Sequence, residues 1–320
     1  MFRSKIVNIL QYLLLLGLGI YLFRQSFAFV NINEVVGVLA KGNYFMAFPV
    51  LLISLLVYWF RVQRWNILFQ SLHIKVEKKN QLAALALCYF VNFAVPRLGE
   101  FTRCLVLKRT DKVDINISLG TIIFERTVDT LCLAMLFIAG LILESFHEQS
   151  LINKYASFDM IPDTKILFIG IILLSGLSMA VYIVMKRNKF VREWIRQFVI
   201  TIRQLLNLKN TGPFFVYTAL IWLSYYLMTY LWFFTFSESS GLSMYQAFQV
   251  MIVGTFARTL PIQAGGAGAY HFAVSSVLLM MGVTLACGNA LAIIIHGFQT
   301  LFTFIVGCSA YVWLLYKTRK

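Results

Sequence analysis
The chain has 320 residues, of which 60% are hydrophobic and only 13% charged, with a mean hydropathy of +0.77. Soluble globular domains carry roughly 25% charged residues, so a water-soluble domain is excluded. The formal net charge of +15 would suit a nucleic-acid binder, but the positive charges collect between apolar stretches, which points to a membrane surface and away from nucleic acid.

Six apolar stretches approach the ~20 residues that a helix needs to cross the hydrocarbon of a bilayer: residues 6–23, 44–60, 118–143, 166–185, 213–236 and 289–316. The first follows Met1-Phe2-Arg3-Ser4-Lys5. Its run is long for the core of a cleavable signal, and Arg24 and the bulky Phe27 stand beside the small Ser26 and Ala28, so it reads as an uncleaved anchor.

Two further segments, about 81–107 and 244–282, have another shape. Each is an apolar arm, a break rich in proline or glycine, and a second arm: "LAALALCYFVNFAVPRLGEFTRCLVL" and "YQAFQVMIVGTFARTLPIQAGGAGAYHFAVSSVLLMMG". The arms are short for spanning, and the pairs make re-entrant hairpins whose freed backbone groups need protein or water around them. An ordinary loop between two short or tilted spans is the competing reading.

Lys and Arg set the orientation. With the N-terminus in the cytoplasm, 2 of them precede the first span, 10 fall in 61–112, 7 in 186–209 and 3 after 316, which is 22 of 28. The opposite loops, 24–43, 144–165 and 237–243, hold Arg24, Lys41, Lys154 and Lys165 beside six acidic residues. Both termini are therefore expected inside. The first hairpin then enters from the cytoplasm and the second from outside, the arrangement of an inverted repeat. The fold class is an all-α polytopic membrane protein of about six full spans and two re-entrant hairpins, a single domain over 1–320.

Ions stand where the hydrocarbon would be, in three groups: Arg97, Glu100 and Arg103; Glu125, Arg126 and Asp129; and Arg258 with the break from Pro261 to His271. Glu125 and Asp129 are four apart and share one helix face, with Arg126 turned about 100° away. A lone charge at the bilayer centre costs about 2.5–3.5 kcal/mol on insertion scales, so these groups pair, hydrate or sit near the interface. One reading makes Glu125 and Asp129 the partners of Arg97 and Arg103, a purely structural clamp. Partner counting still leaves four arginines (97, 103, 126, 258) against three carboxylates (100, 125, 129), one cation over for an anionic guest. Arginine suits a phosphate because its planar fork donates two parallel bonds.

A helix starting after Gly99 or Gly268 would add free N–H groups to such a site. In "PIQAGGAGAYH", glycines let backbone approach a ligand closely; a tight hairpin turn explains them as well. The stretch lacks the preceding strand and the Lys-Ser/Thr of a nucleotide loop. His271 is either a proton relay and headgroup donor or a hydrogen-bonded packing residue.

Cysteines 88, 104, 132, 287 and 308 are odd in number and form no C-x-x-C pair, so neither a disulfide framework nor a zinc site is expected. No cofactor or metal is indicated. The aromatic run "WLSYYLMTYLWFF" at 222–234 fits an interfacial belt or lipid-facing packing. The basic stretch at 186–209 spaces Phe190, Trp194, Phe198 and Ile202 at helical intervals, an amphipathic helix for the anionic cytoplasmic leaflet.

Together, "N-x-x-x-P-x-R-x-G-E-x-x-R" at 92–103, "E-R-x-x-D" at 125–129 and "P-x-x-x-G-G-x-G" at 261–268 resemble the lysylphosphatidylglycerol synthase transmembrane-region family, also described as flippase-like. The resemblance spans nearly the whole chain and rests on three ordered motifs. It implies functional roles for Asn92, Pro96, Arg97, Gly99, Glu100, Arg103, Glu125, Arg126, Asp129, Pro261, Gly265, Gly266 and Gly268. Proteins with this region include enzymes that attach lysine to phosphatidylglycerol in a separate soluble C-terminal domain and move the product across the bilayer. That domain is expected to be lacking here, since the chain ends "YKTRK". The last motif departs from the family pattern: Ala264 and His271 stand where proline and an acid are usual, which puts a cationic lysyl headgroup in doubt.

The expectation is a bacterial inner-membrane lipid transporter for an anionic or zwitterionic headgroup, with substrate contacts at Asn92, Arg97, Glu100, Arg103, Glu125, Arg126, Asp129, Arg258 and His271 and chain breaks at Pro96, Gly99, Pro261, Gly265, Gly266 and Gly268. A membrane enzyme acting on a lipid phosphate and a non-catalytic partner in envelope assembly are the alternatives. No catalytic constellation favours an enzyme.

Overall fold
A computed structural model of the chain describes residues 17, 20–27, 30–95, 98–145, 203, 211–259 and 263–318. These are nearly all helical and form an all-α polytopic membrane protein. In chain order the helices are α1 (Ile32–Ala40), α2 (Ala47–Ser71), α3 (Lys78–Ala94), α4 (Leu98–Thr110), α5 (Ile115–Ser145), α6 (Thr211–Phe233), α7 (Met244–Thr259), α8 (Gln263–Met280) and α9 (Leu285–Thr318). A 3₁₀ turn, Tyr44–Met46, leads into α2. The expected span at 6–23, apart from its last residues, the span at 166–185, nearly all of the amphipathic stretch 186–209, and Pro96, Arg97 and Pro261 lie outside the described residues.

Four described stretches are long and apolar enough to cross a membrane: Tyr44–Ser71, Ile115–Leu143, Thr211–Phe233 and Leu285–Lys317. They coincide with four of the six expected spans. The first runs eleven residues past its expected end at 60, because "RVQRWNILFQS" continues helically after the apolar run stops. That is a correction to the charge count, which placed Arg61 and Arg64 in a loop; both are in α2.

Local sequence starts the helices where they start. Asn31 accepts from the Asn33 N–H at the head of α1, and Asp114 accepts from the Asn116 N–H at 2.7 Å before α5. Ser243 and Gln246 form a reciprocal capping box at α7, with Gln246 Oε1 taking the Ser243 N–H at 2.7 Å and Ser243 Oγ taking the Gln246 N–H at 3.2 Å.

The order span, hairpin, span occurs twice: α2, α3–α4, α5 and then α6, α7–α8, α9. With 13 residues, α4 is about 20 Å long, and with 16 residues, α7 about 24 Å, both shorter than the ~30 Å hydrocarbon core. The bases of the hairpins lie at opposite ends of the spans. Asp111, just after α4, accepts from the Glu77 N–H at 3.0 Å and from Asn80 at 2.8 Å, and Lys317 at the end of α9 donates to Glu77 and Asn80. Lys78 reaches Gln63 of α2. At the other end the Asn43 N–H bonds the Thr235 carbonyl at 2.8 Å, and Glu238 accepts from the Thr284 N–H and hydroxyl. Hairpin α3–α4 is rooted at the first end and α7–α8 at the second.

Both hairpins reach the same helix. Phe90 and Phe93, near the tip of α3, meet Phe304 edge-on with ring centroids 5.2 and 5.1 Å apart, and Arg258, near the tip of α7, donates to Gln299. Gln299 and Phe304 bracket the middle of the Leu285–Lys317 span, and five residues of helix rise only about 7.5 Å. The two breaks therefore sit at similar depth, midway along a spanning helix. Apolar packing holds each hairpin there: Trp65, Leu68, Phe69, Ala84, Cys104 and Leu107 around the first, and Val274, Leu278, Cys287, Ala290 and Leu291 around the second.

Candidate functional site
The first hairpin is closed across its break by one side chain. Asn92 Oδ1 accepts the Gly99 N–H at 2.8 Å, and Asn92 Nδ2 lies 3.4 Å from Glu100 Oε1. This caps the orphan donors at the start of α4. The helix begins at Leu98, one residue before Gly99, so the Gly99 N–H is already taken and is not a free donor for a ligand. Glycine is needed for closeness: a Cβ at 99 would stand 2.0 Å from the Cys88 carbonyl oxygen. Likewise α8 begins at Gln263, so Gly265, Gly266 and Gly268 are helical residues, not the loop the sequence suggests.

Beneath this tip lies a buried ionic network drawn from four helices. Arg64, with a fully buried side chain, grips Asp129 with both ends of its fork, Nη1 to Oδ1 at 2.6 Å and Nη2 to Oδ2 at 3.0 Å. Its Nε is 3.5 Å from Glu125 Oε1, and Nη1 also reaches Thr218 Oγ1 of α6 at 3.4 Å. Glu125 Oε2 in turn holds Arg103 Nη2 at 2.9 Å. The Arg103 guanidinium lies 3.4 Å over the Trp65 ring, whose Nε1–H is anchored on Thr121 at 2.9 Å. Charge, cation–π contact and packing thus fix Arg103 together.

One of the sequence readings, the structural clamp, gave Glu125 and Asp129 to Arg97 and Arg103. Glu125 does take Arg103, but Asp129 takes Arg64. The missed residues are Arg61 and Arg64, three apart on α2. Their signal was present: two arginines on one face inside "LLVYWFRVQRWNILF", where the apolar residues resume afterwards.

The outer members are held more loosely. Arg61 Nη1 is 3.8 Å from Asp129 Oδ2, and Arg126 Nη2 is 3.4 Å from Glu100 Oε1 with 42% of its side chain exposed. Among the described residues of this network, Arg61, Arg64, Arg103 and Arg126 outnumber Glu100, Glu125 and Asp129 by one, a different set from the one counted in the sequence.

The third expected group stands apart, on the second hairpin. Arg258 lies 4.1 Å over the Tyr270 ring and donates to Gln299. His271 is buried, with ring centroids 5.3 Å from both Phe23 and His296. Arg258 and His271 thus belong to a second polar group, on α7 and α8, that faces α9 through Gln299 and His296. Next to Arg258, an apolar cavity of about 250 Å³ is lined by Leu22, Phe137, Ile252, Phe256, Phe272 and Ala273 among others. Among the described residues no cluster of three or more His, Cys, Asp or Glu is placed to hold a metal ion.

Two opposed, interrupted hairpins meeting midway along a spanning helix, with buried ions at the tip, define an all-α polytopic membrane protein. The sequence pattern of the lysylphosphatidylglycerol synthase TM region matches residues 8–307, and the chain belongs to that family. Membership ties it to membrane lipid metabolism or transport. Comparison with curated proteins gives no significant match, and neither does comparison with solved structures.

Proposed function
We propose that the chain moves a phospholipid or another lipid with an anionic or zwitterionic headgroup between the leaflets of a bacterial cytoplasmic membrane, both termini facing the cytoplasm. The observation that carries this is the meeting of two oppositely rooted hairpins on the middle of α9 beside an arginine surplus. Broken backbone at that depth needs a polar surrounding, and a polar path is what a headgroup requires to cross. The apolar cavity beside Arg258 suits an acyl tail left in the hydrocarbon. With no nucleotide-binding motif in the sequence, the drive would come from a gradient or from mass action.

A lipid-phosphate enzyme is the weaker reading. Such an enzyme needs a free base, whereas Glu125 and Asp129 are each engaged by arginines.

The test is headgroup translocation in proteoliposomes containing labelled phosphatidylglycerol, lysyl-phosphatidylglycerol or phosphatidylethanolamine, with Arg97→Gln and Asp129→Asn as variants. Accelerated flipping of one lipid, lost in variants that still fold, is the expected result. No acceleration with any of the three lipids would overturn the proposal.

A further inference from the structure
Arg64 and Arg103 each face a carboxylate oxygen at 2.6–3.0 Å, though Arg103 Nε and Nη2 have no hydrogen-bond partner among the described residues. Arg61 and Arg126 stand farther from their carboxylates, at 3.8 and 3.4 Å. The carboxylate nearest Arg61, at 3.8 Å, is Asp129, and Arg64 already engages both of its oxygens. Among the described residues Arg126 pairs with Glu100 Oε1, which it shares with Asn92.

Arg61 turns its fork instead to a neutral phenol. Nη2 and Nε donate to the Tyr225 hydroxyl at 2.6 and 3.2 Å. A phenol that accepts from a guanidinium still has its own proton to give. The Tyr89 ring lies 5.6 Å from the Arg61 guanidinium, with Tyr225 on another side at 5.9 Å. The Tyr89 hydroxyl is buried with no hydrogen-bond partner among the described residues, although Tyr89 interacts electrostatically with Arg61, Tyr225 and Arg126 together. Buried polar groups in folded proteins are ordinarily paired. Two guanidiniums and two phenols thus gather here: Arg61 gives two donors to the Tyr225 hydroxyl, Arg126 gives one to Glu100, and the Tyr89 proton has no acceptor among the described residues.

We propose that Arg61, Arg126, Tyr89 and Tyr225 form the seat for the phosphate of a membrane lipid headgroup. The seat rests on the transport reading for its role but is a binding claim in its own right. Its phosphate accepts from both arginines and both hydroxyls, and it balances the one cation by which Arg61, Arg64, Arg103 and Arg126 outnumber Glu100, Glu125 and Asp129. That network is the rigid floor: it fixes α2 against α5, and so sets the positions of Arg61 and Arg126 on the same two helices. Tyr89 comes from the first hairpin and Tyr225 from α6, so an occupied seat joins four helices.

The full chain, purified in detergent, would be titrated with dioctanoyl phosphatidylglycerol, with dioctanoylglycerol and with inorganic phosphate, reading thermal stability. Phosphatidylglycerol is expected to raise the midpoint saturably, and dioctanoylglycerol is not. Arg61→Gln and Arg126→Gln should each weaken that binding by about tenfold to a hundredfold, the range of a charge-assisted hydrogen bond. Tyr89→Phe separates a ligand role from a packing role. It removes an unpartnered hydroxyl, so the empty protein should keep or gain stability while affinity falls several-fold.

Wild-type affinity in all three folded variants would overturn the seat, as would equal stabilisation by dioctanoylglycerol. Equal stabilisation by inorganic phosphate at matched concentration would overturn the lipid source. Flipping assays separate this claim from the transport reading: binding lost in the variants of a wild type that binds but does not flip leaves the seat standing without transport. Unchanged flipping by the variants removes the seat and leaves transport.

Discussion

Replacing Glu125 by glutamine tests the buried network most directly, because the amide keeps the shape and removes only the charge. At 2.9 Å, Glu125 Oε2 is the carboxylate contact of Arg103. Coulomb attraction at that separation is about 6 kcal/mol at an effective dielectric of about 20, opposed by the desolvation of both ions. In Glu125→Gln the desolvation of Arg103 remains and the attraction goes, so the expected loss is about 3–5 kcal/mol. Arg103→Gln should cost less, since Glu125 keeps Arg64 Nε at 3.5 Å. The double variant leaves no stranded charge at this contact and should regain roughly 2–3 kcal/mol over additivity. Equilibrium unfolding in mixed detergent micelles, followed by tryptophan fluorescence, measures the cycle. Additivity within about 0.5 kcal/mol would refute the claim that the two residues act as a buried pair.

Other expectations follow from close contacts. Gly99→Ala would drive a Cβ into the Cys88 carbonyl oxygen at 2.0 Å and into Asn92, so the cap at the break should fail. A loss of roughly 2–4 kcal/mol, from overpacking and the lost cap, should appear in the same unfolding assay. Gly307→Ala would place its Cβ 2.5 Å from Phe90 Cβ, pushing α9 off the first hairpin and lowering the folded yield; Phe90→Ala in the same chain, which keeps that Cβ, should restore little of it. The Lys317–Glu77 contact ties the end of α9 to the root of that hairpin, and its hydrogen bond holds the Glu77 carboxyl below the usual glutamate range. Its contribution is therefore present at neutral pH and is lost as pH falls through the depressed folded value. Thermal midpoints of wild type and Glu77→Gln should differ at pH 7 and converge in acid; a constant gap would refute the assignment.

Much of the architecture is legible in the sequence because hydrophobic length is a local property. Four expected spans coincide with long apolar helices, and both breaks fall where a proline interrupts an apolar run. The i, i+4 spacing of Glu125 and Asp129 put them on one face without any fold. Partner identity is another matter. Asp129 and Arg64 are 65 positions apart, and no local rule joins them. Counting Arg61 and Arg64 as loop residues was a boundary error of a common kind: charges look like the end of a span when a neighbouring helix is about to neutralise them. Arg258 stays with the segment it was grouped with, over the Tyr270 ring, and only the fold adds Gln299 of α9.

The sequence by itself determined that the chain is a membrane protein, where the four described spans lie, where it breaks and that ions stand inside it. Only the tertiary structure decided which arginine pairs with which carboxylate and that the hairpin tips meet beside the middle of α9, whereas their opposite entry already followed from the charge count. The reason is physical. Transfer into hydrocarbon depends on composition within a helix, whereas an ion pair depends on two side chains that only packing brings within about 4 Å.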